Sequence, residues 1–249
     1  MGSTPKTAVV IGASRGIGAA LVRELAGRGC RVAALARNRE DLEALRLELD
    51  PQSQGRVLVF EHDVTDGDAV PGLIERIEME FGAVDMAVYN AGVMPRIDED
   101  TYDWEKDRLV LEVNLLGCVA WFDRLAPAMK ARGKGSLVGI SSVAGDRGRR
   151  GYPVYNASKA GMDTYLEALL NRLHRHGVRV TTIKPGFIDT DMTRGMEGLF
   201  WLYPPERAAR DIVNAAVRGS RKRYVPRRWA LVGFIIRNIP SWIFRRLDI

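Results

Sequence analysis

The sequence predicts an α/β fold in a single domain, a doubly wound parallel sheet flanked by helices. Three observations carry that expectation. Short β-branched runs alternate with longer helical patterns along most of the chain, the mark of strand–helix–strand crossovers. The candidate strands are continuously apolar rather than alternating, as strands covered on both faces must be. The 249 residues show neither an internal repeat nor an interdomain linker, and one α/β core of that length is ordinary.

Taken in order, strands are expected at residues 7–11, 31–35, 57–60, 84–89, 136–141 and 178–183, with residues 223–225 as a last short one. Helical patterns lie near residues 17–28, 40–49, 67–81, 104–131 and 153–175. Pro204 and Pro205 introduce a further helix to about Arg218, proline being at home in a first turn. The organisation that follows is one domain over residues 1–226 and a basic, apolar tail over 227–249, packed on the domain or extending from it.

Composition narrows the function classes. With 46% hydrophobic and 27% charged residues and no polar low-complexity tract, disorder is excluded as the organising state. Cys30 and Cys118 lack CxxC or CxxH spacing, and His62, His174 and His176 form no metal-ligand pattern, so two reduced, buried thiols and no metal are expected. The stretch from Met1 to Thr7 is polar and leads into too short an apolar run for a signal-peptide core, which points to the cytoplasm. The net charge of +6 is uneven: from Arg218 onward nine basic residues face the single acid Asp248, so that segment carries +8 and the rest −2.

The first strand runs into Gly12-Ala13-Ser14-Arg15-Gly16-Ile17-Gly18 and then a helix. Glycines there let the backbone turn tightly and approach a ligand, and amides at a helix N-terminus suit a phosphate. The GxxxGxG spacing differs from GxGxxG but occupies the same first turn of a βαβ unit, the dinucleotide position of a Rossmann-type fold. The second strand ends at Ala36-Arg37, where NAD-preferring proteins of that fold place an acid for the ribose 2′-hydroxyl. With no carboxylate there, Arg37, helped by Arg15, is read as meeting a 2′-phosphate, and NADP(H) is the expected cofactor. Further on, Tyr155 and Lys159 stand at i and i+4, on one face of a helix. An ammonium beside a phenol favours phenolate and draws its pKa toward the working range of an acid–base catalyst.

These motifs stand together with Asn90-Ala91-Gly92, Asn114, Ser141-Ser142, Tyr155-Asn156-Ala157-Ser158-Lys159 and Pro185-Gly186. In order and spacing the set resembles the short-chain dehydrogenase/reductase family, over about residues 6 to 226. The resemblance implies a tetrad of Asn114, Ser142, Tyr155 and Lys159. Tyr155 would contact the cofactor and exchange the proton with the carbonyl oxygen, and Ser142, thirteen residues before it, would hold that oxygen. Lys159 would also bind the nicotinamide ribose, and Asn114 would hold a water that relays protons to Lys159. Ser141 is then structural. By the same resemblance Asp63 and Val64 contact the adenine, and Asn90 steadies the sheet beside the cofactor, followed by Ala91 and Gly92. Pro185, Gly186, Ile188 and Thr190 clasp the nicotinamide carboxamide. Tyr89 stands where the family often has the first Asn of NNAG.

After Pro185-Gly186 the family carries a substrate lid. Here Met192, Met196, Leu199, Phe200, Trp201, Leu202 and Tyr203 make that segment apolar and suit a lipophilic carbonyl or alcohol. The expected function is NADPH-dependent interconversion of a carbonyl and a secondary alcohol. The alternative is a dinucleotide-binding sensor without turnover. Homodimers or homotetramers are what the resemblance implies. The tail departs from the family's more usual short C-terminus: Trp229, Leu231, Phe234, Ile235, Ile236, Trp242, Ile243 and Phe244 are interleaved with Arg227, Arg228, Arg237, Arg245 and Arg246. It is too short to span a bilayer and suits either peripheral contact with anionic lipid or packing in an oligomer interface. No nucleic-acid module accompanies its charge.

Overall fold

In the computed structural model, which describes residues 6–53, 55–96, 100–196 and 198–247, seven parallel strands form one sheet in the order β3-β2-β1-β4-β5-β6-β7. The strands are β1 (Thr7–Ile11), β2 (Arg31–Ala36), β3 (Val57–Glu61), β4 (Met86–Tyr89), β5 (Gly135–Ile140), β6 (Val178–Pro185) and β7 (Lys222–Val225). The order reverses between β1 and β4. At such a switch point neighbouring crossovers run to opposite sides and leave a crevice outside the carboxyl ends of the strands. Met1–Pro5 and Asp248, both used in the sequence reading, lie outside the described residues.

Alternation along each strand divides the core in two. Ala8 and Val10 of β1 pack with α1 (Gly16–Gly27), α2 (Arg39–Ser53) and, through Ile212 and Val213, α7 (Pro205–Val217). Val9 and Ile11 face the other way, onto α3 (Val70–Phe81), α5 (Gly117–Ala131) and α6 (Pro153–Leu173). Burial on both faces explains the uninterrupted apolar strands, and truncating a fully buried Leu21 or Leu25 to alanine would cost about 2–5 kcal/mol.

The single helical pattern expected over residues 104–131 resolves into three parts. The helix α4 (Trp104–Leu111), capped by the Asp103 side chain accepting from Lys106 N at 3.1 Å, passes through a π turn at Glu112–Leu116 into α5. Such a turn inserts one residue into the helical frame and re-aims the side chains that follow. Strand β4 begins two residues later than expected. Val84 spends its backbone groups on side chains instead: its N–H reaches Glu78 Oε1 at 3.4 Å and its carbonyl accepts from Arg132 Nη2 at 2.6 Å.

The tail is helical and packs on the domain. After β7 the chain forms α8 (Trp229–Asn238) and the single-turn α9 (Ser241–Phe244). Arg147 fastens both. Its guanidinium donates to the carbonyls of Ile236, at 2.9 Å, and Ile239, approaches Ser241 Oγ at 3.3 Å and stacks 4.0 Å above the Phe244 ring. The otherwise orphaned carbonyls at the end of α8 are thereby satisfied. Among the described residues no helix is long and apolar enough to cross a membrane.

Candidate active site

The carboxyl ends of β1, β4, β5 and β6 bring four sequence motifs to one edge of the sheet. After β1, Gly12 takes φ +83° and Gly16 +55°, values that a side chain would strain. A Cβ on Gly12 would lie 2.5 Å from Ala91 N, and one on Gly18 would collide with the Gly12 carbonyl, so the loop closes only with glycine there. Asn90, at the end of β4, donates from Nδ2 to Gly12 O at 2.7 Å and ties the loop to the adjacent strand. Arg15, the N-cap of α1, makes no side-chain capping bond, and the first turn contains no acid. The leading amides of α1 are thus left for an external anion.

Two cations flank this loop on the surface. Arg37, just past β2, is 62% exposed and lies 3.9 Å from Asp63; Arg15 lies 3.5 Å from Asp191. Asp63 is held by Thr65, whose N–H and hydroxyl donate to Oδ1 at 3.0 and 2.9 Å. Those bonds bring its carboxyl below the usual range, against the opposing effect of burial. Val64 beside it is buried. Across the cleft, Thr190 faces the glycine loop closely enough that a Cβ on Gly16 would meet its Cγ2 at 2.9 Å. Ile188 is buried and bridges to Tyr203, while Gly186 N donates to Val225 O at 2.9 Å just after Pro185 ends β6.

The π turn carries Asn114 into the interior. Its Oδ1 accepts from Val93 N at 2.7 Å, and its Nδ2 donates to Val93 O at 3.0 Å and to Ser158 Oγ at 3.1 Å. A Cβ on Gly92 would lie 3.4 Å from both Asn114 Oδ1 and Lys159 Nζ, so these two polar groups converge there. Lys159 is buried on α6 and donates to Ile140 O at 3.0 Å; burial pulls its ammonium down to about 8. Ser141 Oγ donates to Lys159 O at 3.2 Å, while Ser142 Oγ accepts from Ala144 N at 3.0 Å.

Tyr155, one turn before Lys159, is buried with the Ser142 side chain beside it. The expectation that Lys159 draws this phenol down is corrected. The Lys159 ammonium is engaged by Ile140 and stands 5.8 Å from the tyrosine ring centroid. Burial dominates and raises the phenol above its ordinary value, opposed by the Ser142 side chain and then by the charge of Arg149. Sequence reasoning missed Arg149, which no motif marks and which lies in the loop that leads into α6.

It also missed Tyr89. Where the resemblance leads one to expect asparagine, this phenol is fully buried and donates to Val113 O at 2.6 Å. The bond pins the π turn one residue before Asn114. A third omission is Lys184, buried before Pro185, which pairs with Asp146 at 2.9 Å and with Asp163. Tyr224 donates to the same Asp146 at 3.0 Å, and Arg237 of α8 stands 3.6 Å from it. The network links the turn after Ser142, helix α6 and the tail.

A glycine-rich loop, an Asn-Ala-Gly strand end, a serine and a Tyr/Lys helix now occupy one cleft. The family model described as short chain dehydrogenase matches residues 6–197. The chain belongs to the short chain dehydrogenase family. It is accordingly an oxidoreductase with a nucleotide-binding Rossmann fold, and the α/β sheet expected from the sequence is present. Among its relatives, an uncharacterized oxidoreductase of Myxococcus xanthus is 42% identical over 189 residues, covering 76% of this chain and 74% of that protein. The 3-oxoacyl-(acyl-carrier-protein) reductase of Escherichia coli is 34% identical over 223 residues, 84% of this chain and 87% of the reductase. In structure the chain resembles L-sorbose reductase of Gluconobacter frateurii, solved with NADPH and L-sorbose, with a TM-score of 0.79 and 25% identity over 90% of this chain and 95% of that one. In this short chain dehydrogenase Gly12, Asn90, Gly92, Asn114, Ser142, Tyr155 and Lys159 stand near the carboxyl ends of β1, β4 and β5. Arg15 and Arg37 sit at the rim rather than inside.

Proposed function

We propose that the chain is an NADPH-dependent reductase that interconverts a carbonyl and a secondary alcohol on a lipophilic substrate, with Tyr155 as the acid/base. One observation carries the reading: the buried Tyr155 phenol lies beside the Ser142 side chain, one turn before Lys159, in the cleft where Lys159 and Asn114 converge. Because burial holds the phenol above its usual range, it stays protonated at neutral pH and serves as a proton donor. Ser142 steadies the same substrate oxygen as negative charge develops on it. Lys159, its ammonium pulled down to about 8 by burial, supplies a donor for a ribose hydroxyl, and Asn114 orders the proton path to it.

The residues present fit a dinucleotide. Gly12, Ser14, Gly16, Ile17 and Gly18 form the cradle for the pyrophosphate, Asp63 and Val64 take the adenine, and Asn90, Ala91 and Gly92 line the middle of the cleft. Pro185, Gly186, Ile188 and Thr190 receive the nicotinamide end. The bound nucleotide supplies the hydride. NADPH is preferred because Arg37 and Arg15 flank the 2′ position without an acid at the end of β2, and the relative solved with NADPH agrees with that choice.

Lipophilic specificity rests on the lid. Phe187, Phe200, Trp201 and Trp229 form one aromatic cluster, with ring centroids 5.1 to 6.2 Å apart. The relatives' names give an acyl and a sugar substrate, so these walls choose between them. The test is a panel of carbonyls from sugars through aliphatic chains to sterols, followed by NADPH absorbance. Turnover should rise with apolar size. NADPH binding with no turnover across the panel would leave the chain a dinucleotide sensor.

A further inference from the structure

We propose that the outer face of the C-terminal helices docks on the surface of an anionic lipid bilayer. Helix α8 has two apolar faces. Trp229 and Gly233 point inward: a Cβ on Gly233 would lie 2.5 Å from Asp146 Oδ2, and Trp229 closes over Gly186. The opposite face carries Leu231, Phe234 and Ile235, at i, i+3 and i+4, and these remain 65%, 59% and 52% exposed. A helix on a protein surface ordinarily turns charged and polar side chains outward. Trp242 of α9 continues the exposed apolar surface at 59%.

Charge selects the occupant. Arg227 and Arg228 stand exposed at the start of α8 and Arg245 and Arg246 just after α9, with no carboxylate from Arg227 to Leu247. The one further arginine of the segment, Arg237, is turned toward Asp146. Arg228 also lies 4.6 Å over the ring of Trp201, which joins the face to the substrate lid. An apolar stripe with arginines at both ends and an indole among them matches the headgroup boundary of a negatively charged membrane. A second copy related by a two-fold axis would instead set these arginines against arginines. The segment lies on the bilayer and does not span it.

The proposal stands apart from the catalytic reading and is tested without turnover. The full chain is sedimented with phosphatidylcholine vesicles prepared with and without phosphatidylglycerol, at low and high salt. The native chain should bind the anionic vesicles at least about tenfold more tightly than the neutral ones and weaken with salt. The variant Leu231→Ser/Phe234→Ser/Trp242→Ser should lose binding, as should Arg227→Gln/Arg228→Gln/Arg245→Gln/Arg246→Gln, with NADPH affinity and thermal unfolding reporting that each is folded. Should the apolar variant not fold, the arginine variant and the salt dependence decide. Equal sedimentation of native and arginine-depleted chains would overturn the proposal. So would failure of the native chain to bind vesicles, whether or not light scattering shows the apolar variant breaking an oligomer.

Discussion

The two ends of the cofactor cleft are built on different principles. At the end proposed to take the adenine the charged groups, Arg15 and Arg37, are mostly exposed and held by loose contacts of 3.5 and 3.9 Å to carboxylates. At the end proposed for the chemistry Asn114, Tyr155 and Lys159 are buried, with Asn114 and Lys159 held by backbone carbonyls or amides between 2.7 and 3.0 Å away. Loose surface pairs contribute little and are readily exchanged for a phosphate. Buried, satisfied groups are costly to move and stay where the reaction needs them. Changes at the first end should therefore alter which nucleotide is chosen, and changes at the second should alter how fast the substrate is converted.

The largest effect expected from that division is at Tyr155. Tyr155→Phe should lower turnover by at least about a hundredfold through loss of the proton donor, with NADPH affinity unchanged in a fluorescence titration. A variant retaining its rate would remove the phenol from the mechanism. Arg37→Ala should act at the other end alone. The preference for NADPH over NADH should narrow by roughly tenfold, the worth of a charge-assisted hydrogen bond, while kcat at saturating NADPH holds. Equal affinity of the native chain for the two nucleotides would contradict the reading of the adenine end.

Much of this was legible in the residue order, and for physical reasons. Strands buried on both faces announce themselves as apolar runs, and glycines forced to positive φ or to close approach leave a spaced motif, as Gly12, Gly16 and Gly18 do. The π turn at Glu112–Leu116 was not legible, because one inserted residue barely disturbs a helical pattern over residues 104–131. The helicity of the tail was obscured because α8 is apolar on its exposed face as well as its buried one, which erases the usual contrast between faces. Arg149 and the Asp146–Lys184–Asp163 network meet only in space. A lysine inside the apolar run of β6 was nevertheless a signal, since a buried ammonium requires partners.

Tyr89 gives the smallest effect and the sharpest test of how the chemical end is held. A phenol at the close of a wholly buried strand must find an acceptor, and it finds the carbonyl of Val113 at 2.6 Å. Gly117 leaves the room, since a Cβ there would overlap the phenolic oxygen. Tyr89→Phe keeps the ring and removes only the donor, so the chain should lose about 1–3 kcal/mol of stability for the stranded carbonyl. If the hydroxyl also fixes the turn that presents Asn114, kcat should fall severalfold while KM for NADPH stays constant, because Asn114 lies away from the adenine end. A stability loss with full kcat would reduce Tyr89 to packing and leave Asn114 positioned by Val93 and Ser158 alone.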